Sequence, residues 1–167
     1  AERSYRLLVA NGIPPERIVI DANVFAIATG IPGHDRLAAD FIDAVRWIKA
    51  NLPGALTSGG ISNVSFAFRG NDALRGWIHS VFLHHAVAAG LDLAIVNPAA
   101  IPDYAAIPED RRRIVEDAVL FRDPAAAARL AELAVATMDG AVAPAPAPRG
   151  GVEIAPPQAR LETAVAT

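Results

Sequence analysis

The feature that most restricts the fold is a repeat. Three short runs rich in β-branched and apolar residues, RIVID at 17–21, GALTS at 54–58 and LDLAIVN at 91–97, start about 37 residues apart. Each leads through a polar loop into a helical pattern. That spacing suits strand–helix units, which join parallel strands by right-handed crossovers and either close into a barrel or open into a doubly wound sheet. Three strands close nothing and would leave two bare edges. The expected architecture is therefore α/β, a string of about three βα units that could belong to either a barrel or a doubly wound sheet; a complete barrel would require further strands before residue 1.

The helical segments carry their own start and stop signals. Over 35–50, Leu37, Phe41, Val45 and Ile48 form one stripe, which Pro53-Gly54 ends. Over 72–89, Leu74, Ile78, Val81, Phe82 and His85 recur at helical spacing, Asn71 or Asp72 can cap the start, and Gly90 supplies a left-handed exit. Arg75 and His79 are expected on the polar face of that helix. Pro108-Glu109-Asp110 and Asp123-Pro124 open two more helices, and 3–10 reads as the tail of another, closed by Asn11-Gly12.

At 53% hydrophobic residues the chain has material for a core, and a net charge of -3 argues against a nucleic-acid binder. No apolar run reaches the roughly 18 residues of a membrane helix, and the N-terminus lacks a signal-peptide layout, so the expectation is no membrane partner and a cytoplasmic location. The absence of cysteine excludes disulfides and thiolate metal sites within the chain. From residue 139 Ala and Pro alternate, which suits an extended interdomain linker over 139–156. Residues 157–167 then read as the start of a helix in another domain, leaving 1–138 as the α/β portion.

In parallel α/β folds ligands lie at the carboxyl ends of the strands. Here those ends are polar: Asp21-Ala22-Asn23, then Ser58-Gly59-Gly60-Ile61-Ser62-Asn63, then Asn97. An ionised Asp accepts two parallel N–H bonds and Asn both donates and accepts, so the set suits a flat, neutral heterocycle. The simpler alternative is that Asp21 and Asn23 only turn the following loop. Gly59-Gly60 reads more readily as a turn than as a ligand cradle, and neither a phosphate loop nor a dinucleotide fingerprint is present. His34, His79, His84 and His85 lack metal-ligand spacing. Arg111-Arg112-Arg113 suits a solvated helix face. Phe66 and Phe68 fall in a loop that they could bury, or from which they could stack on a ring.

Asp21-Ala22-Asn23-Val24-Phe25, Ser58-Gly59-Gly60-Ile61-Ser62-Asn63-Val64-Ser65-Phe66-Ala67-Phe68-Arg69-Gly70-Asn71 and Val81-Phe82-Leu83-His84-His85-Ala86 with Gly90-Leu91-Asp92-Leu93-Ala94-Ile95-Val96-Asn97 together resemble the pterin-binding domain of cobalamin-dependent methionine synthases. The resemblance implies the last three strands of a pterin-binding (β/α)8 TIM barrel that holds 5-methyltetrahydrofolate, the methyl donor, at its strand ends. It implies that Asp21 grips the amino-pyrimidine edge with Asn23 beside it, and that Asn63 sits near the methyl-bearing nitrogen as the catalytic group. Arg69 would contact the substrate or close the loop, and Asn97 would belong to the rim.

In that family the methyl passes to cob(I)alamin and then to zinc-activated homocysteine, giving methionine. The cobalamin and zinc sites would lie outside this chain, which has neither cysteines for the zinc nor an Asp-x-His-x-x-Gly for the cobalt. Arg160-Leu161-Glu162-Thr163-Ala164 resembles the opening helix of the domain that caps cobalamin, making the cobalamin-binding domain the expected partner. Ala22 stands where the family commonly has Pro. The chain alone is expected to be inactive. The alternatives are a stand-alone pterin methyltransferase acting on a separate corrinoid protein, and a noncatalytic pterin-binding or docking module.

Overall fold

The computed structural model describes residues 1–138. The linker expected at 139–156 and the helix start expected at 157–167 lie outside the described residues. Helix α1 (Glu2–Ala10) precedes β1 (Val19–Asp21), α2 (Leu37–Asn51), β2 (Leu56–Gly60), α3 (Asp72–Ala89), β3 (Leu93–Ile95), α4 (Glu109–Val119) and α5 (Ala126–Met138). The three strands form one sheet in the order β1-β2-β3, and both pairings are parallel. Asp21 pairs with Ser58 and Ser58 in turn with Leu93. The repeat therefore builds the expected strand–helix layout.

The strands are placed differently from expectation at their ends. β1 and β3 have three residues each, and β2 runs on through Gly59 and Gly60 instead of turning there. Tertiary packing makes the difference. A Cβ on Gly59 would stand 2.7 Å from Phe41 Cζ and 3.1 Å from a Val24 methyl, so the missing side chain lets α2 lie close against the strand. At the amino ends of β2 and β3, Asp92 Oδ2 accepts the Thr57 N–H at 2.8 Å and lies 3.0 Å from Lys49 Nζ of α2. Burial raises the Asp92 pKa, but the Thr57 N–H and Lys49 outweigh it and the net shift is downward.

The expected stripe of α2 is buried as Ala38, Phe41, Ile42, Val45 and Ile48. Its Phe41 ring packs at 5.4 Å from Phe82 of α3. Asn71 caps α3, accepting the Leu74 N–H at 3.1 Å, and Gly90 leaves it with φ 109°. α3 is buried on more than one face because α2, α4, α5 and residues 61–68 all pack on it. His79, expected on a polar face, is consequently inside the protein. Arg111 and Arg112 are likewise half-buried, over the rings of Trp77 and Tyr104, while Arg113 stays solvated beside Glu109. Val19, Leu93 and Ile95 of the outer strands remain exposed. Among the described residues no helix is long and apolar enough to cross a membrane.

Candidate functional site

Asp21 ends β1 and is exposed. Its Oδ1 accepts the backbone N–H of Asn23 at 2.7 Å and its Oδ2 accepts the Ser58 hydroxyl at 3.0 Å. The turn-forming role is thus present, and it does not exhaust the group: a carboxylate offers about four lone-pair positions. Asn23 adopts φ 65°, a left-handed conformation that Asn tolerates better than most residues. That backbone turns the chain sharply away from the strand end.

Residues 61–68 form two short helical turns, kinked at Ser65 with φ -104° and ψ 17°. Phe66 and Phe68, expected in a loop, belong to this helical segment. Ile61, Val64 and Phe68 anchor it in the core, while Asn63, Phe66 and Arg69 face outward. The Ile27 N–H reaches Val64 O at 3.1 Å, tying the loop after β1 to the same segment. The Arg69 guanidinium lies 4.0 Å from the centre of the exposed Phe66 ring, a cation–π contact that positions both.

An open cleft of about 400 Å3 lies between the ends of β2 and β3, lined by Gly60, Ser62, Asn63, Ile95, Val96 and Asn97. Asn63 and Asn97, from separate strand ends, therefore share one cavity. Asp21, Asn23 and Arg69 are not among its lining residues. A Cβ at Gly60 would come within 3.3 Å of Asn63 Nδ2, so the glycine leaves room for the carboxamide to lie over the strand end. Asn97 Oδ1 accepts the Ala99 N–H at 3.2 Å. That bond orients its amide and leaves the NH2 group for another acceptor. The lining side chains are uncharged, which favours a neutral guest whose edge both donates and accepts.

Ser62, Ile95 and Val96 were not singled out by their sequence. Ser62 sat inside a motif dominated by its neighbours, and Ile95-Val96 reads as ordinary strand. Beneath the site lies a polar cluster that no local sequence pattern signals. His79 Nε2 is 2.7 Å from Ser65 Oγ, which also accepts from Arg75 Nε at 3.0 Å. Burial, then the nearby Arg75 charge, pushes the His79 pKa down to about 4.

The other α3 histidines serve packing between helices. His84 stacks on Tyr104 at 3.9 Å, and Glu116 Oε1 lies 2.8 Å from His85 Nε2 and accepts the Tyr104 hydroxyl at 2.6 Å. Burial raises the Glu116 pKa, but Tyr104, His85 and Arg122 bring it below the ordinary carboxylate value. Among the described residues, no group of three or more His, Asp or Glu could hold a metal ion. In comparison with known families, residues 1–97 match the model described as "Pterin binding enzyme".

Proposed function

The chain belongs to the pterin-binding enzyme family, and from that premise we propose that it is the C-terminal portion of a pterin-binding (β/α)8 barrel serving methyl transfer in a cobalamin-dependent methionine synthase. Its ligand is 5-methyltetrahydrofolate. The observation that carries this reading is the cleft at the ends of β2 and β3, which Asn63 and Asn97 both line, beside a strand end whose Asp21 carboxylate is held by Ser58.

Asp21 accepts paired N–H bonds from the amino-pyrimidine edge, with Asn23 alongside, and fixes the orientation of the ring. Asn97 supplies a second polar contact on the rim, and Arg69 closes over the more exposed part of the substrate. Asn63 addresses the methyl-bearing nitrogen. A tertiary amine leaves poorly, and a carboxamide oxygen that hydrogen-bonds the protonated nitrogen favours the form from which the methyl departs. The corrinoid, held by a separate domain, supplies the nucleophile that accepts the methyl. The zinc that activates homocysteine would be held outside this chain, which offers no cysteine thiolate for it.

The test is a calorimetric titration with 5-methyltetrahydrofolate, paired with a single-turnover transfer assay to cob(I)alamin, on the protein that carries the chain. Binding with transfer supports the proposal. Binding without transfer selects a noncatalytic pterin module, and no binding overturns the reading.

A further inference from the structure

The segment that carries Asn63 is held from below by a buried polar cluster whose contacts converge on the residues flanking it. Ser65 lies at the kink and is fully buried. Its hydroxyl accepts from Arg75 Nε at 3.0 Å, sits 2.7 Å from His79 Nε2 and donates to the Ser62 carbonyl at 3.4 Å. Arg75 and His79 are one turn apart on α3 and so share a face. Arginine can only donate, which leaves the hydroxyl one lone pair and its own proton. His79 Nδ1 has no hydrogen-bond partner among the described residues. A proton on Nε2 therefore meets an acceptor, whereas one on Nδ1 would be buried without one. In that arrangement Ser65 Oγ accepts twice, and its proton goes to Ser62.

We propose that Ser65, Arg75 and His79 are positioning residues that set the angle at which the Asn63 carboxamide meets the pterin. Ser62 and Ser65 bracket Asn63, and one hydroxyl ties both to α3. An apolar side chain at position 65 would fill the space without fixing the turn's rotation, since dispersion contacts have little direction and hydrogen bonds have much. The buried histidine works as a neutral donor, consistent with its lowered pKa. The inference rests on the role given above to Asn63.

The test uses Ser65→Ala, His79→Leu and His79→Gln in the protein that carries the chain, each alone, and Ser65→Ala again in an Asn63→Ala background. Three quantities are read: the single-turnover transfer rate to cob(I)alamin, the Kd for 5-methyltetrahydrofolate, and the NMR position of the Asn63 side-chain amide without ligand. Ser65→Ala and His79→Leu should slow transfer by about 10- to 100-fold, as expected for a misplaced catalytic group. Kd should stay within about twofold on the same view, and the Asn63 amide signal should move. His79→Gln, which can place an N–H near the lost Nε2, should recover most of the rate. In the Asn63→Ala background Ser65→Ala should cost nothing further.

An unmoved amide signal, an unchanged rate, or losses that multiply with Asn63→Ala would overturn the positioning role. If His79→Leu does not fold, Ser65→Ala decides, since it deletes a single oxygen. Failure of the functional reading looks different: the unmodified protein would not bind the folate, or Asn63→Ala would leave transfer untouched while the amide signal still responds to Ser65→Ala.

Discussion

Ser58 stands across the β1–β2 pairing from Asp21 and donates its hydroxyl to Asp21 Oδ2 at 3.0 Å. With the Asn23 N–H on Oδ1 at 2.7 Å, the carboxylate is oriented before a ligand arrives. Asp21→Asn keeps the shape but loses the charge and one acceptor. A hydrogen bond to a charged group contributes roughly 1.5–3 kcal/mol, so calorimetry should show 5-methyltetrahydrofolate bound about 10- to 100-fold more weakly. Unchanged affinity would remove Asp21 from the ligand's contacts.

Asn63→Ala should act on the rate instead. Loss of a group that matters most as the nitrogen departs lowers the single-turnover constant by about 10²-fold or more, with a smaller change in Kd. Equal losses in both would reassign Asn63 to ground-state binding.

Gly59→Ala tests the contact between β2 and α2. The new methyl would stand 2.7 Å from Phe41 Cζ, and relieving that overlap must move a core ring that packs on Phe82. Overpacking of this kind costs about 1–3 kcal/mol. Urea unfolding should register it, and a variant as stable as the parent would show that the ring can turn aside.

Asn71→Ala removes more than a cap. The side chain accepts from Leu74 N and also donates to Thr137 Oγ1 at 2.6 Å and Ala134 O at 3.0 Å, so it ties the start of α3 to α5. The expected loss is about 2 kcal/mol, the sum of a cap and a buried bond. Hydrogen exchange should speed up in α5 as well as in the first turn of α3; faster exchange in α3 alone would count against the tie.

His79 makes stability depend on pH. Its folded pKa is about 4 against an ordinary 6.5, so on acidification the unfolded chain takes up a proton first. Stability should therefore fall from about pH 6.5 downward and level off near pH 4, with this group's share reaching at most roughly 3 kcal/mol. His79→Gln should flatten that interval. Below it Glu116 acts in its own range: its folded pKa lies under the ordinary 4.5, so its contribution is present above that value and lost as pH falls through the folded pKa. Denaturation curves at several pH values would check both, and an equally steep decline in His79→Gln would assign the effect elsewhere.

The helices were legible because their signals are local. The α2 stripe, the Asn71 cap and the Gly90 exit each follow from residues within one turn of each other, and the 37-residue period set the parallel order of the strands. Long-range contacts decided what was missed. Gly59 pairs with Ala94 in the sheet, and Phe41 of a distant helix occupies the space a side chain there would need. His79 is buried because residues 61–68 fold over α3, and no helical wheel contains that information. At the site, carboxamides after strands were visible as a pattern, but the pairing of Asn63 with Asn97 across one cleft required the β2–β3 register.

The Lys49, Thr57 and Asp92 contacts lie at the amino ends of β2 and β3. These contacts fasten the two strands at the end of the sheet away from the polar rim, without using any group expected to meet a ligand. An exposed cleft-lining side chain such as Ile95 could therefore change without loosening that fastening, so a lineage could retune which guest it accepts while keeping the same chassis.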